Sequence, residues 1–299
     1  MRIERCTLCP RRCGALRDAK SGAGVCKMPA LPVLARAGLH FYEEPCISGS
    51  RGSGAVFFSG CSLGCVFCQN YEISAGRYGK TVTVERLADI FRELEAAGAH
   101  NINLVNPTHF APAIRAALDL YHPGVPIVYN SGGYERVETL RSLEGYVDVY
   151  LPDLKYLDAS RAARYSGAAD YFTHASAALA EMSRQTAGEV VEDGILRRGM
   201  IVRHLLLPRG TTDAIAVARF VRDRLPEARF SLMRQYLPLG RAADFPEIDR
   251  RVTDREYEKV LRAVEELRFS AEVYVQEKES AGREFIPAFD LSGVEASEV

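Results

Sequence analysis

The chain of 299 residues carries 38 basic and 39 acidic side chains, so its formal net charge at pH 7 is −1. A near-neutral chain lacks the excess positive charge with which proteins bind nucleic acid non-specifically. Hydrophobic residues make up 47% of the sequence, which is typical of a globular protein. Because no apolar run approaches the ~20 residues that span a bilayer, we expect neither a nucleic-acid partner nor a membrane partner.

The first 30 residues hold four cysteines, Cys6, Cys9, Cys13 and Cys26, among glycines and turn residues. A segment this short cannot bury a core of its own, so a metal held by four thiolates would supply its order. Four cysteines suit structural zinc or a closed iron–sulfur cluster. The alternative is reduced thiols on a flexible arm. We favour a second metal site here, with zinc and iron–sulfur both open.

Residues 31–54 lead into the main part of the chain, with a short apolar run at 31–35 that predicts a strand. Glu43 and Glu44 follow, and we expect both carboxylates to be solvated, or one to lie near the mouth of an active site. Cys46 stands apart from the other cysteines, and we expect a buried thiol there rather than a metal ligand.

Three cysteines follow the short apolar run 55–58, at Cys61, Cys65 and Cys68. Clustered soft thiolates are ligands for a soft metal. A closed structural zinc site takes four protein ligands, and a 4Fe–4S cluster normally takes four cysteines. Three cysteines on one loop therefore leave one iron of a 4Fe–4S cluster open to a ligand that is not protein. Half of a zinc site, or three packed cysteines, are the alternatives.

The C-x3-C-x2-C spacing after a first strand resembles the signature of the radical S-adenosylmethionine (SAM) superfamily. The surrounding text, GSGAVFFSGCSLGCVFCQNYEIS, is similar to an uncharacterised branch related to the pyruvate formate-lyase activating enzyme. The resemblance implies a 4Fe–4S cluster whose open iron binds SAM, and an aromatic contact to the adenine from Phe67. It also implies an electron donor such as flavodoxin or ferredoxin. The first four cysteines recur in related radical SAM proteins.

From residue 55 onward, apolar runs alternate with amphipathic stretches, which predicts a parallel sheet with helical crossovers. The predicted strands are 55–58, 102–105, 126–129, 147–151, 200–207 and 229–233, with a possible last strand at 273–275. The predicted helices are 83–97, 111–120, 136–143, 159–165, 173–186, 212–225 and 253–267. The fold class expected is α/β, a partial (β/α)6 TIM-like barrel of the radical SAM type with a short Cys-rich N-terminal extension. The expected divisions are a Cys-rich lead-in at 1–54, the barrel at 55–275 and a tail at 276–299 that packs on it.

Functional residues of parallel barrels lie at the carboxyl ends of the strands. The second predicted strand is followed by Asn106 and Thr108, which could contact SAM in place of a Gly-Gly-Glu element that this sequence lacks. The third ends at Asn130 and Ser131, where the activating enzyme has a ribose-side motif. Asp153 and Lys155 follow the fourth strand and are similar to an Asp-Ile-Lys element of the activating enzymes, in which case Lys155 could pair with the SAM carboxylate. The last candidate is His204, from the fifth strand.

The reaction that the resemblance implies is reductive cleavage of SAM, followed by hydrogen abstraction from a substrate. Glycyl-radical activation of a protein partner is one function of this kind, and modification of a small molecule or peptide is another. A non-catalytic iron–sulfur or zinc binding protein would use the cysteines alike but would not need the polar strand ends. Eight cysteines without an apolar signal-peptide core favour a reducing, cytoplasmic location.

Overall fold

A computed structural model describes residues 1–276, 282 and 285–295. Its strands are β1 (Val33–His40), β2 (Ser53–Phe58), β3 (Lys80–Thr81), β4 (Ile102–Val105), β5 (Ile127–Ser131), β6 (Val149–Pro152), β7 (Val190–Glu192), β8 (Ile195–Leu205), β9 (Arg229–Met233) and β10 (Val273–Val275). Its helices are α1 (Pro45–Ser48), α2 (Tyr71–Ser74), α3 (Val84–Ala96), α4 (Ala111–Leu120), α5 (Val137–Arg141), α6 (Ala159–Ser166), α7 (Tyr171–Gln185), α8 (Thr211–Arg224) and α9 (Asp254–Leu267).

One sheet runs through the molecule in the order β10-β9-β8-β6-β5-β4-β2-β1-β3, with β7 beside β8. The strands from β2 to β10 in this order pair in parallel, and helices connect them as crossovers. The prediction of an α/β fold built on a parallel sheet is confirmed. The possible last strand is present as β10, and β1 is longer than predicted and pairs antiparallel with β2.

The two faces of the parallel strands bury different groups, because successive side chains of a strand point to opposite faces. The outer face packs against the crossover helices and includes Val56, Leu104 and Val202. The opposite face, which we call the inner face, includes Val128 and Ile201 and packs with Ile47 of α1. The short helix α1 therefore covers part of the inner face.

The crossover helices begin and end within a few residues of their predicted bounds. In α3 the side chains of Leu87, Ile90, Phe91 and Leu94 are buried at helical spacing, and Thr83 caps its amino terminus by accepting a hydrogen bond from the Arg86 N–H. This pattern buries one face of the helix and leaves the other in water. In α9 a capping box between Thr253 and Glu256 fixes the start.

Residues near the end of the chain lie along β1. The Ala37 N–H donates to the Ser292 carbonyl at 2.8 Å, and the Leu291 N–H donates to the Ala35 carbonyl at 3.0 Å. Much of the predicted tail 276–299, namely 277–281, 283–284 and 296–299, lies outside the described residues. Of the helices that the structure describes, none combines the length and apolar character that crossing a membrane requires.

Candidate active site

The loop after β2 brings three cysteine thiols together. Burial raises the pKa of Cys61, Cys65 and Cys68, and the charge of a neighbouring cysteine of the same loop raises the pKa further in each case. Gly60 opens the loop at a φ of 81°, and a Cβ at this position would lie 2.3 Å from Cγ of Met28. Only glycine fits where the N-terminal segment crosses the loop.

Hydrogen-bond donors approach two of the sulfur atoms. The Leu63 N–H donates to Cys61 Sγ at 3.3 Å, and the Ser166 hydroxyl is 3.0 Å from Cys65 Sγ. Buried thiols with raised pKa values ionise only beside a cation, and a bound soft metal is such a cation. The three thiols and their donors therefore fit a 4Fe–4S cluster with one iron left without a protein ligand.

Cys46 lies apart from this loop. Cys46 belongs to the apolar group on the inner face, and its sulfur accepts a hydrogen bond from the Tyr274 hydroxyl at 3.2 Å. Within the described part of the chain, no group of three or more His, Cys, Asp or Glu side chains is arranged around a single metal ion. In a 4Fe–4S cluster each cysteine binds a different iron, so the sulfur atoms need not converge on one point.

A second set of polar side chains, which we call the inner cluster, lies on the inner face beside this loop. Its members come from the segment after β1 and from β4, β5, β6 and β8 or their carboxyl ends. They are Glu43, Asn103, Asn130, Asp153, Lys155 and Arg203.

Arg203 is the centre of the inner cluster. Its guanidinium donates to Glu43 Oε2 at 2.9 Å, to Asp153 Oδ1 at 2.9 Å and to Asn130 Oδ1 at 2.6 Å. The other oxygen of Asp153 accepts from Lys155 Nζ at 2.6 Å. Two acids and two bases thus neutralise one another in a place where an unpaired charge would be costly.

Asp153 and Lys155 hold each other in their ionised forms. Burial by itself raises the pKa of Asp153, but the Lys155 and Arg203 cations bring that pKa below its ordinary value. Burial likewise disfavours the Lys155 ammonium, and the Asp153 carboxylate raises its pKa above the ordinary value. Lys155 therefore stays positively charged with the Asp153 carboxylate as its fixed partner.

Lys155 connects the inner cluster to the cysteine loop. Its positive charge opposes the effect of burial by lowering the pKa of each of the three thiols. A Cβ at Gly132 would lie 3.0 Å from Leu63 Cδ1 in the loop and 3.5 Å from Lys155 Cε. The thiols and the ion-paired lysine accordingly share one end of the sheet.

The structure brings together three of the predicted SAM contacts, Asn130, Asp153 and Lys155. It directs Thr108 and Ser131 elsewhere, towards the carboxyl group of Glu135. Thr108 Oγ1 donates to Glu135 Oε1 at 2.6 Å, and a hydrogen bond from Ser131 lowers the pKa of the same carboxyl group. Burial outweighs these hydrogen bonds and raises the pKa of Glu135 to about 7.

The other predicted contacts have local partners. The Asn106 side chain donates to the Gly60 carbonyl and so supports the cysteine loop. The Phe67 ring packs edge-on against Tyr236, with centroids 5.9 Å apart. His204 Nδ1 lies 2.7 Å from the Leu154 carbonyl, on the strand face opposite Arg203. Roles for these residues in binding SAM stay predictions.

Sequence reasoning missed the importance of Arg203 and Glu43. Arg203 and His204 are successive residues of β8, so only one of them can face inward, and it is Arg203 rather than the predicted His204. The solvated position expected for Glu43 and Glu44 is wrong, because only 12% of the Glu43 side chain is exposed and Glu44 is 9% exposed. The other expectation, one carboxylate near the mouth of the site, stays a prediction, with Glu43 paired to Arg203. The signal available was the arginine itself, since a guanidinium within an apolar strand needs a buried acid.

The N-terminal segment lies directly over the cysteine loop. Burial is the main cause that raises the pKa of Cys9, to about 12, with Cys26 and Cys6 near enough to add to the effect. A Cβ at Gly24 would lie 3.0 Å from Cys13 Sγ. The four N-terminal cysteines are therefore gathered in one small region.

A buried arginine supports this segment. The Arg17 side chain donates to the Met28 carbonyl at 3.0 Å, to the Pro29 carbonyl at 2.6 Å and to Cys6 Sγ at 3.6 Å. Isolated bridges pair Arg17 with Ile3 and with Gly22, and no helix or longer strand lies within residues 1–30. The described segment is thus held by a few polar contacts rather than by regular structure.

Comparison with known proteins places the cysteine loop in a family. Residues 55–185 match the family model described as Radical SAM superfamily. The Uncharacterized protein MJ0674 of Methanocaldococcus jannaschii is 29% identical over 272 residues, which cover 88% of this chain and 75% of that protein. The crystal structure of methylornithine synthase (PylB) is similar with a TM-score of 0.48 and 16% identity, over 72% of this chain and 68% of that chain.

The matched residues begin in β2 and end with α7, so they contain Cys61, Cys65, Cys68, Asp153 and Lys155. Residues 55–185 therefore carry a Radical SAM superfamily domain, as the cysteine spacing predicted. The match identifies the superfamily domain only and does not distinguish the branch related to the pyruvate formate-lyase activating enzyme.

Proposed function

We propose that this protein is a radical SAM enzyme that reductively cleaves SAM at a 4Fe–4S cluster and abstracts hydrogen from a substrate. The observation that carries the proposal is the grouping of one buried and two partly buried thiols beside the Asp153–Lys155 ion pair, within the family-matched residues. A protein that only bound a metal would have no need of the ion-paired lysine at that place.

A bound 4Fe–4S cluster would supply the electron for reductive cleavage of SAM. The chain's own residues hold and orient the reactants. Cys61, Cys65 and Cys68 would each hold one iron. Lys155 keeps its positive charge beside the thiols, which suits it to the carboxylate of SAM, and Asp153 fixes its position.

The first test is an anaerobic count of iron, sulfide and zinc, combined with an assay for 5′-deoxyadenosine under dithionite. We expect about four irons in the cluster and 5′-deoxyadenosine as product. The Cys65→Ala variant should lose the product, whereas Cys46→Ala, which changes a thiol on the inner face, should keep it. Continued SAM cleavage by reconstituted Cys65→Ala, or a cluster spectrum that SAM does not perturb, would reject the proposal.

We also propose a second metal, held by Cys6, Cys9, Cys13 and Cys26. The proximity of these thiols and the small amount of regular structure around them support it. One zinc beside four irons would indicate a structural zinc site. About eight irons would indicate an auxiliary cluster. If the count finds no zinc and no iron beyond the first cluster, the N-terminal segment holds no metal and the proposal of a second metal is contradicted.

For the substrate, the resemblance to the pyruvate formate-lyase activating enzyme supports a glycine of a protein partner. A peptide that carries α-dideuterated glycine tests this class by mass spectrometry of the 5′-deoxyadenosine. Deuterium in the product would support glycyl-radical activation. Cleavage of SAM without deuterium transfer would favour a small molecule or another peptide position.

The electron donor we propose is a flavodoxin or a ferredoxin, and the location is the cytoplasm. Eight free cysteines and an oxygen-sensitive cluster support a reducing compartment. To test the donor, purified flavodoxin or ferredoxin is added and the EPR signal of the reduced cluster is measured.

A further inference from the structure

A buried chain of hydroxyl groups ends at one sulfur of the cysteine loop. Ser166, the last residue of α6, is 3% exposed, and its Oγ lies 3.0 Å from Cys65 Sγ. Tyr156 is 1% exposed, and its hydroxyl lies 2.9 Å from the same Oγ. The two hydroxyl groups therefore reach a cluster ligand without contact with solvent.

The direction of these hydrogen bonds follows from the state of the sulfur. A thiolate that holds a metal has no proton, so Cys65 can only accept. Ser166 must then donate to Cys65, and its oxygen is free to accept from Tyr156. A donor aligned in this way acts on the sulfur as a fixed positive partial charge.

One guanidinium from the N-terminal segment holds the cysteine loop and the end of α6 together. Arg11 Nε donates to the Ser62 carbonyl at 2.9 Å, and Nη2 donates to the Ser166 carbonyl at 2.9 Å. The same side chain also donates to the Gly167 carbonyl and stacks over the Tyr134 ring at 5.3 Å. Arg11 thus sets the distance between Ser166 and the loop that carries Cys65.

We infer that Ser166 raises the reduction potential of the cluster through its hydrogen bond to Cys65, and that Arg11 positions it from the N-terminal cysteine segment. A hydrogen bond to a cluster sulfur stabilises the reduced state, which carries more negative charge. Arg11 lies between Cys9 and Cys13 in the sequence. The state of the N-terminal thiols can therefore alter the potential of the SAM-cleaving cluster, an inference that rests on the proposed function.

The measurement is an EPR redox titration of the reconstituted full chain, with iron and sulfide counted in every sample. Ser166→Ala should lower the equilibrium constant for one-electron reduction about tenfold, which corresponds to about 59 mV. Ser166→Thr keeps a hydroxyl and should restore most of the shift. Tyr156→Phe should change the potential in the same direction by less, because it removes only the second donor.

Arg11 is tested by a double-mutant cycle. Arg11→Gln should lower the potential by less than Ser166→Ala, and the double variant should show no more than the Ser166→Ala shift. Arg12→Gln is the matched control, because no side-chain hydrogen bond from Arg12 is found in the described structure, and it should leave the potential unchanged. Cys9→Ser should shift the potential in the direction of Arg11→Gln.

Two readouts separate the possible failures. If the wild-type chain binds no cluster, the iron count shows that the proposed function itself has failed. An unchanged potential in Ser166→Ala with the same iron content as the wild type would overturn the inference, as would additive shifts for Arg11 and Ser166. If Ser166→Ala fails to fold, two other measurements test the inference. One is the reduction potential of Tyr156→Phe, and the other is an exchangeable deuteron near the reduced cluster, detected by ENDOR in D2O. Absence of that deuteron in the wild type would also overturn the inference.

Discussion

The two cysteine groups of this protein lie against each other but are held in place by different means. The loop with Cys61, Cys65 and Cys68 extends from β2, inside the parallel sheet, and contacts α6 through the Val66 N–H and the Tyr165 carbonyl at 2.9 Å. The N-terminal group lies in a segment without helices, held by Arg17 and Arg11. A ligand loop on a sheet is positioned before its metal binds, whereas the N-terminal segment would depend on the proposed second metal for order.

This difference predicts that losing the N-terminal metal and losing the cluster affect the protease sensitivity of residues 1–30 differently. The first of these losses should have the largest effect of all the changes we consider. Cys9→Ser should make residues 1–30 sensitive to protease, with a cleavage rate at least tenfold above wild type. Cys65→Ser should lose the cluster with little change in cleavage of the same segment, because the sheet still holds the loop. Limited proteolysis with mass spectrometry measures both. Equal sensitivity in the two variants would contradict the comparison.

Replacing Arg17 should destabilise the N-terminal segment next most strongly. Arg17→Met leaves the Met28 and Pro29 carbonyls buried without their donor, at a cost of about 3 kcal/mol. We expect weaker metal retention and earlier proteolysis of residues 1–30. The free energy of opening can be measured by hydrogen exchange. Arg2→Met, which changes an exposed ion pair, is the control and should cost almost nothing.

Glu135, which is 1% exposed and accepts a hydrogen bond from Thr108, should make stability depend on pH. Burial raises the pKa of its carboxyl group to about 7 from the ordinary value of 4.5. The stability that the neutral carboxyl group contributes is therefore complete below pH 4.5 and is lost as the pH rises through about 7. The total change is on the order of 3 kcal/mol.

The Glu135→Gln variant tests this assignment. It cannot ionise, so the free energy of unfolding should change less between pH 5 and pH 8 than in the wild type. Urea denaturation at several pH values measures the difference. Parallel curves for the two proteins would mean that another group is responsible.

The cysteine loop should tolerate loss of a single contact, which is the smallest effect expected. Asn106 has a φ of 60° and donates to the Gly60 carbonyl. Asn106→Gly permits the same backbone conformation and removes the hydrogen bond, at a cost of about 1 kcal/mol. The melting temperature should fall slightly while the iron count stays the same. Loss of the cluster in this variant would show that the loop is less firmly held than the sheet suggests.

Much of the fold could be predicted because local patterns report it. The apolar runs became β2, β4, β5, β6, β8 and β9 in parallel order, since an apolar run between amphipathic stretches is a buried strand. The helix α9 starts at Asp254, one residue after its predicted start, because Thr253 caps it and forms a capping box with Glu256. The short strands β3 and β7 were missed, because the two and three residues they contain have no detectable period.

The sequence by itself determined the three clustered cysteines and the strand ends that carry Asp153 and Lys155, because spacing and period are local properties. Only the tertiary structure decided which side chains meet. Arg203, not His204, pairs with Glu43, which lies 160 residues away in the chain. The same is true of Arg11, whose guanidinium donates to Ser62, 51 positions away in the chain, and to Ser166, 155 positions away. Such contacts depend on how the strands and crossovers pack, and no local pattern contains that information.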